Sequence, residues 1–328
     1  MCDSYKEHKM ATHTQGTVVP SKPFSAEKLA QQLHEAMDGL GTEEKPIIDV
    51  MASHDNKQRQ EIALSYKTQF GKDLRAELKC ETSGNFENLL VALLETPINY
   101  DAKSINDAIK FVGTDEGALI EILSSRSKVQ IKSIKAAYKT LFNSDIEKDI
   151  SSDTSGHLRR FLVSQLAAGR SDDVTVDAGL AAKEADELFA AGEYQVGTDE
   201  SVFNRILTVR SYPQLLATFN AYKVKHGKEI ETAIKSETSG YLEDGYLAVV
   251  KLARSVPAYF AERLYNSMNR PGTKDSTLIR VIVTRSEIDM VQIKSEFERK
   301  YGKSLASFIK GDTSGDYEKL LLALIKEK

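Results

Sequence analysis

The chain has no tryptophan, only two cysteines and no long apolar run, and each absence excludes something. No stretch approaches the roughly 18 apolar residues of a membrane span, so no transmembrane helix is predicted. Residues 1–24 lack the apolar core of a secretory signal, and position 2 is Cys2 rather than the glycine that myristoylation needs. Cys2 and Cys80 make no disulfide framework, which favours a reducing compartment and leads us to expect a soluble, cytoplasmic protein. Cys80 reads as a small buried hydrophobe. Positive charge is short as well. A net charge of −4 argues against nucleic acid, and for a lipid surface it requires that something other than Lys and Arg face the phosphates. The six histidines show no ligand spacing. No nucleophile-base pair, phosphate loop or zinc constellation is present, so an enzyme is not expected.

What is present is repetition. Gly41-Thr42, Gly113-Thr114, Gly197-Thr198 and Gly272-Thr273 are each followed, forty residues after the glycine, by an acid opening a Thr-Ser-Gly: Glu81, Asp153, Glu237 and Asp312. The steps between successive glycines vary, at 72, 84 and 75 residues, while the internal forty does not. A constant separation under variable connectors predicts that acid and glycine loop meet in space, once per repeat. Six residues past each glycine stand Ile47, Leu119, Phe203 and Leu278, and ten past it Met51, Leu123, Leu207 and Ile282, one helical face. Tyr66, Tyr138, Tyr222 and Phe297 repeat further on, as do Leu74, Ile146, Ile230 and Leu305, and all are expected in the core. Arg126, Arg210 and Arg285 recur thirteen past the glycine, where the first repeat has His54.

Weak strand signals and periodic segments rich in Ala, Leu, Ile, Lys and Glu predict an all-α protein of four repeats, each of about five short helices. A chain of 328 residues also exceeds the size at which one core keeps growing. The expected division is a mobile tail over 1–24, repeats over 25–96 and 97–168, a linker plus third repeat over 169–252, and a fourth repeat over 253–328. The polar run from Gly169 to Thr175 is the candidate hinge. Thr42, Thr114, Thr198 and Thr273 are expected to cap the helices that follow them, and the Thr-Ser pairs of the acidic motif to cap others.

The repeated motif supplies a cation site. A glycine turn can aim several backbone carbonyls at one point, and the downstream carboxylate can close the other side. Such oxygen donors suit Ca2+, and one carboxylate leaves the bound ion with net positive charge and open positions for a lipid phosphate. The rival reading of the acid-Thr-Ser-Gly is a plain helix-capping turn; the fixed pairing with a glycine loop favours calcium.

Met37-Asp38-Gly39-Leu40-Gly41-Thr42 with Glu81, and its counterparts in the other repeats, resemble the annexin family from about Ala26 to Leu324. The resemblance implies a curved disc of four five-helix repeats that docks reversibly on acidic, phosphatidylserine-like phospholipid through calcium loops. By position it implies a first site from the carbonyls of Met37, Gly39 and Gly41 with Glu81, and a third from those of Gly192, Gln195 and Gly197 with Glu237. The second set is Ile109, Phe111 and Gly113 with Asp153, where Phe111 replaces a family glycine. In the fourth, Met268, Arg270 and Gly272 with Asp312, Arg270 opposes a cation and Pro271 stiffens the turn. The expected order of strength is first, third, second, fourth. Asp101, Glu121, Arg126, Arg280, Arg285 and Asp289 match charged residues lining the family's central channel; an ion-pair network between the halves is the plainer role and ion conduction the sharper one. Two function classes therefore stand: calcium-dependent peripheral membrane binding by a protein monomeric in solution and free to self-assemble on the membrane, or a helical scaffold with partly decayed sites that acts through protein partners, the tail among its contacts.

Overall fold

The computed structural model describes residues 15–39, 41–110, 113–192, 199–269 and 272–327, and among them it contains twenty α-helices and no strand. Five fall in each repeat. The first holds α1 (Ala26–Met37), α2 (Glu44–Ser53), α3 (Asn56–Phe70), α4 (Leu74–Glu81) and α5 (Gly84–Leu93). The second holds α6 (Pro97–Lys110), α7 (Glu116–Ser125), α8 (Lys128–Phe142), α9 (Ile146–Asp153) and α10 (Gly156–Leu166). The third holds α11 (Ala178–Ala191), α12 (Glu200–Val209), α13 (Tyr212–His226), α14 (Ile230–Glu237) and α15 (Gly240–Arg254). The fourth holds α16 (Val256–Met268), α17 (Asp275–Arg285), α18 (Met290–Tyr301), α19 (Leu305–Asp312) and α20 (Gly315–Leu324).

Every repeated apolar position named above is buried, including the fully enclosed rings of Tyr66, Tyr138, Tyr222 and Phe297. Each such side chain contributes about 1.5–3 kcal/mol, so the fourfold register fixes the core of each repeat. The third helix of each repeat ends on a left-handed residue, Gly71, Asn143, Gly227 or Gly302, which stops the helix and turns the chain into the fourth.

Contacts group the chain into two compact units. One comprises residues 1–94 with 263–328, the other residues 95–262. In the first unit α2 packs on α20 and α5 on α17; in the second, α7 packs on α15 and α10 on α12. The run from Gly169 to Thr175 therefore lies inside the second unit, and it is held there. Arg170 donates to the carbonyls of Leu207 and Arg210 at 2.8 Å and its guanidinium sits over the Tyr212 ring at 4.7 Å. Ser171 N–H donates to Val209 O at 2.8 Å. Burial lowers the pKa of the Arg170 guanidinium, an environment that no freely bending linker provides.

The segment 15–24, expected to be mobile, is likewise pinned within the first unit; residues 1–14 lie outside the described residues. Thr17 Oγ1 donates to Leu324 O at 2.6 Å, Val18 N–H donates to Ser286 O at 2.9 Å, and Val18 is buried. Ser21 exchanges two hydrogen bonds with the Gln58 amide, at 2.8 and 2.9 Å. Gln214 makes the same two-bond clasp on Asp177 in the third repeat. The end of the tail thus occupies the place before α1 that the linker occupies before α11, and its polar groups bond to backbone carbonyls and to a side-chain amide.

Candidate cation-binding loops

Each loop leaves the first helix of its repeat and is closed by one backbone bond. The N–H groups of Glu43, Asp115, Asp199 and Lys274 donate to the carbonyls of Ala36, Ala108, Ala191 and Ser267, all at 2.8 Å. The acceptor precedes the Gly-Thr glycine by five residues in three repeats and by six in the third, so that loop is one residue longer. Met37 and Met268 are the last residues of α1 and α16, Ile109 is the last but one of α6, and Gly192 follows α11 as its C-cap. Gly41, Gly113 and Gly272 have φ of 93°, 90° and 84°, and Gly39 has 110°. A Cβ at any of these four would meet nothing within 4 Å, so the requirement is backbone conformation and the space above the loop is open.

The structure brings three of the four acids to their glycines. Thr42 Oγ1 donates to Glu81 Oε2 at 2.9 Å, Thr114 Oγ1 to Asp153 Oδ2 at 2.7 Å, and Thr273 Oγ1 to Asp312 Oδ2 at 2.5 Å. In each case the same hydroxyl lies 3.3 Å from the backbone carbonyl of the acid. These threonines are therefore not helix caps: the N-cap positions fall one residue later, on Glu43, Asp115, Asp199 and Lys274. A hydroxyl has one proton, and here the carboxylate 39 residues away takes it in place of a helix N-terminus. In the third repeat Thr198 lies outside the described residues, but a Cβ on Gly192 would stand 3.0 Å from Glu237 Cγ, so that carboxylate arm lies against the start of its loop.

The Thr-Ser-Gly also differs from its expected role. Thr82, Thr154, Thr238 and Thr313 close the preceding helix, their hydroxyls donating to the carbonyls of Leu78, Ile150, Ile234 and Ile309 at 2.7–2.8 Å. Ser83, Ser155, Ser239 and Ser314 occupy the next N-cap positions without making a side-chain cap. The motif is thus a helix-to-helix corner that ends the fourth helix with its carboxylate facing the loop.

Phe111, Gln195, Gly197, Arg270 and Pro271 lie outside the described residues. Asp153 and Glu237 border one cleft of about 440 Å³ in the second unit, together with His157, Glu200, Tyr241 and Glu116. His157 Nδ1 stands 3.5 Å from Glu200 Oε2. The second and third carboxylates therefore open on the same side of that unit. Met268 and Asp312 border another cleft, of about 610 Å³, in the first unit. No group of three or more His, Cys, Asp or Glu that could hold a metal occurs among the described residues. A cation here would need backbone carbonyls plus one carboxylate, a hard-oxygen set that fits Ca2+ and not Zn2+.

Buried charge lies elsewhere. Arg126 binds Asp101 through two bonds of 2.7 and 2.8 Å in the second unit, and Arg285 binds Asp289 at 2.8 and 2.6 Å in the first. Glu121 and Arg280 are buried as well. Two pairs escaped the sequence reading: Arg210 with Glu184 at 2.6 Å, and Arg59 with Glu287 at 3.1 Å. The first was legible in register, because Asp101 precedes Gly113 by twelve residues and Glu184 precedes Gly197 by thirteen, the third loop being longer by one. His54 is buried, with Nδ1 2.9 Å from Val50 O and its ring 5.7 Å from that of Phe24. Cys80 is exposed rather than buried.

Four helical repeats, three of which bring an acid to the threonine beside a positive-φ glycine among the described residues, define a class of repeat protein that builds one loop-and-acid unit again and again. The family model described as annexin matches residues 28–93, 100–164, 183–249 and 259–324, and the chain belongs to the annexin family, whose members bind phospholipid in a calcium-dependent way and are generally not enzymes. It is 51% identical to human annexin A11 over 311 residues, covering 95% of this chain and 62% of that protein. It is also 51% identical to human annexin A8 over 311 residues, covering 94% of this chain and 95% of that one. The solved structure of annexin III matches with a TM-score of 0.93 at 44% identity, over 95% of this chain and 97% of that chain.

Proposed function

We propose that this protein binds acidic phospholipid surfaces when calcium is raised and releases them when it falls, as a peripheral membrane protein of the cytoplasm. The observation that carries the reading is the meeting of acid and loop. Three carboxylates forty residues downstream are each fixed by the threonine beside a positive-φ glycine, over open space. Ca2+ would be held at the first site by the carbonyls of Met37, Gly39 and Gly41 with Glu81, and at the third by those of Gly192, Gln195 and Gly197 with Glu237. Ile109, Phe111 and Gly113 with Asp153, and Met268, Arg270 and Gly272 with Asp312, would form weaker sites. When bound, the ion supplies the positive charge that a chain of net charge −4 lacks, and it retains open positions for a lipid phosphate. No helix among the described residues is long and apolar enough to cross a membrane, in keeping with peripheral docking.

The test is co-sedimentation with phosphatidylserine vesicles, with phosphatidylcholine vesicles as the control. Binding is expected only with phosphatidylserine, at micromolar to millimolar calcium, and is expected to reverse on adding chelator. Equal sedimentation in calcium and in chelator would overturn the reading and favour a scaffold acting through protein partners.

A further inference from the structure

Two residues past each loop glycine the first three repeats carry an acid, Glu43, Asp115 and Asp199, and the fourth carries Lys274. The four positions also match in structure. Each is the N-cap of the second helix of its repeat, and its backbone N–H is the one that closes the loop, for Lys274 by donating to Ser267 O at 2.8 Å.

A lysine suits that place poorly on two counts. Asp115 and Asp199 accept from the N–H groups of Ala118 and Ser201 and so cap their helices. An ammonium has no lone pair to offer, and α17 begins without a side-chain cap. Its charge also meets the positive end of the helix dipole, which favours an acid. Lys274 is exposed and makes no ion pair among the described residues that would offset this. A local preference broken at a cost in stability is a mark of functional positions, and what this position borders is the loop. Thr273, the residue before it, holds the Asp312 carboxylate at 2.5 Å, so Lys274 brings positive charge to the one acid that a cation in this loop would need. Asp275 in the first turn is matched by Glu44, Glu116 and Glu200, so it does not compensate. Relative to the other loops, the place swings from an acid to a base.

We propose, on the calcium reading given above, that Lys274 is a specificity-determining residue that turns the fourth loop away from divalent cations. It acts independently of Arg270, since it stands beyond Gly272-Thr273 and is fixed there by its own backbone bond. At calcium levels that fill the other sites, the first unit then engages a membrane through one calcium loop, that of Glu81, where the second unit has two.

The experiment reads the loops separately, in the full chain without lipid, from the calcium dependence of the Gly41, Gly113 and Gly272 amide signals in heteronuclear NMR. The melting temperature in chelator is a second readout, independent of any bound metal. Lys274→Gln removes the charge without adding a cap, so the Gly272 midpoint should fall severalfold at an unchanged melting temperature. Lys274→Asp reverses the charge and restores the cap: the midpoint should fall by about tenfold and the melting temperature should rise. Glu43→Lys is the converse change, at a position whose acid makes no cap bond. It should raise the Gly41 midpoint and leave Gly272 as it was. A Gly272 midpoint that stays put in Lys274→Asp would overturn the proposal even if the melting temperature rises, because Lys274 would then be a poor cap and nothing more. A Lys274→Asp variant that melts below the parent would overturn it as well, by making Lys274 a structural residue. If the Gly41 signal also fails to move with calcium in the parent, the calcium reading itself falls and the proposal falls with it.

Discussion

At the scale of single residues, Thr42, Thr114 and Thr273 each hold the acid of their loop, and on the proposed reading they set how well it is aimed. Thr42 fixes one Glu81 oxygen, so Thr42→Val leaves the charge in place and frees its direction. Loss of one charge-assisted hydrogen bond is worth about 1.5–3 kcal/mol at most, and the exposed position reduces it. We expect the calcium midpoint for phosphatidylserine vesicles to rise severalfold in Thr42→Val and further in Glu81→Gln. Asp312→Asn should matter less, since Arg270 stands in its loop; a larger effect there would reverse the order of sites. The buried tyrosines give a second residue-scale expectation. Burial pushes the Tyr66 and Tyr138 hydroxyls up to about 12, with Glu77, Glu81 and Asp38 adding for Tyr66; for Tyr138, Asn106 opposes the rise and Asp149 adds to it. The neutral phenol is therefore favoured in the folded chain. Its contribution is full below pH ~10 and is lost as pH rises through about 12. Alkaline unfolding of the parent beside Tyr66→Phe and Tyr138→Phe checks this. The parent should lose more stability than either variant across that window, and equal losses would mean that these hydroxyls do not drive the alkaline transition.

At the scale of elements, the docked segment before α1 depends on a close approach. A Cβ on Gly16 would lie 2.5 Å from the carbonyl carbon of Glu287, and Glu287 also holds Arg59 and the N–H of Asn56. Backbone cannot yield as a flexible side chain does, so Gly16→Ala should cost about 1–3 kcal/mol and release the segment. Faster amide exchange at Val18 and Ser21, with Gln58 exchanging alongside, is the expected signature; unchanged protection would place the anchor at Thr17 alone. Nothing in the tail's composition announced this docking. Its bonds are to the backbone of Ser286 and Leu324 and to the side chain of Gln58, all distant in sequence, and polarity reads the same whether water or protein takes the hydrogen bond. The helical cores, by contrast, were legible position by position, because Ile47, Met51, Tyr66 and Leu74 recur in register and burial follows apolar periodicity. The candidate sites fell between. The forty-residue spacing located Glu81, Asp153 and Asp312 beside their loops, but the choice of Thr42 between capping a helix and holding an acid is a tertiary one.

At the scale of the whole molecule, the proposed function requires a chain of net charge −4 to meet an acidic surface through several weak sites acting together. The second and third carboxylates open on one cleft of the second unit, so on the proposed reading lipids engaged at both would lie side by side. Once one loop is docked, the other binds at the effective concentration set by their fixed spacing rather than at bulk lipid concentration. Asp153→Asn and Glu237→Gln each remove the one carboxylate of a site, and each leaves the neighbour able to hold the protein to the membrane. The double variant loses both, and with them the mutual support. We therefore expect the calcium dependence of vesicle binding to shift modestly in either single variant. The double variant should shift by more than the two single shifts combined, with a shallower rise. Calcium binding in the absence of lipid should show no such excess, because without a shared surface the two loops are separate ligand sets and their losses add. If the excess appears without vesicles as well, the coupling runs through the protein at the His157–Glu200 contact between the two loops. If it appears in neither case, the two sites engage the membrane independently.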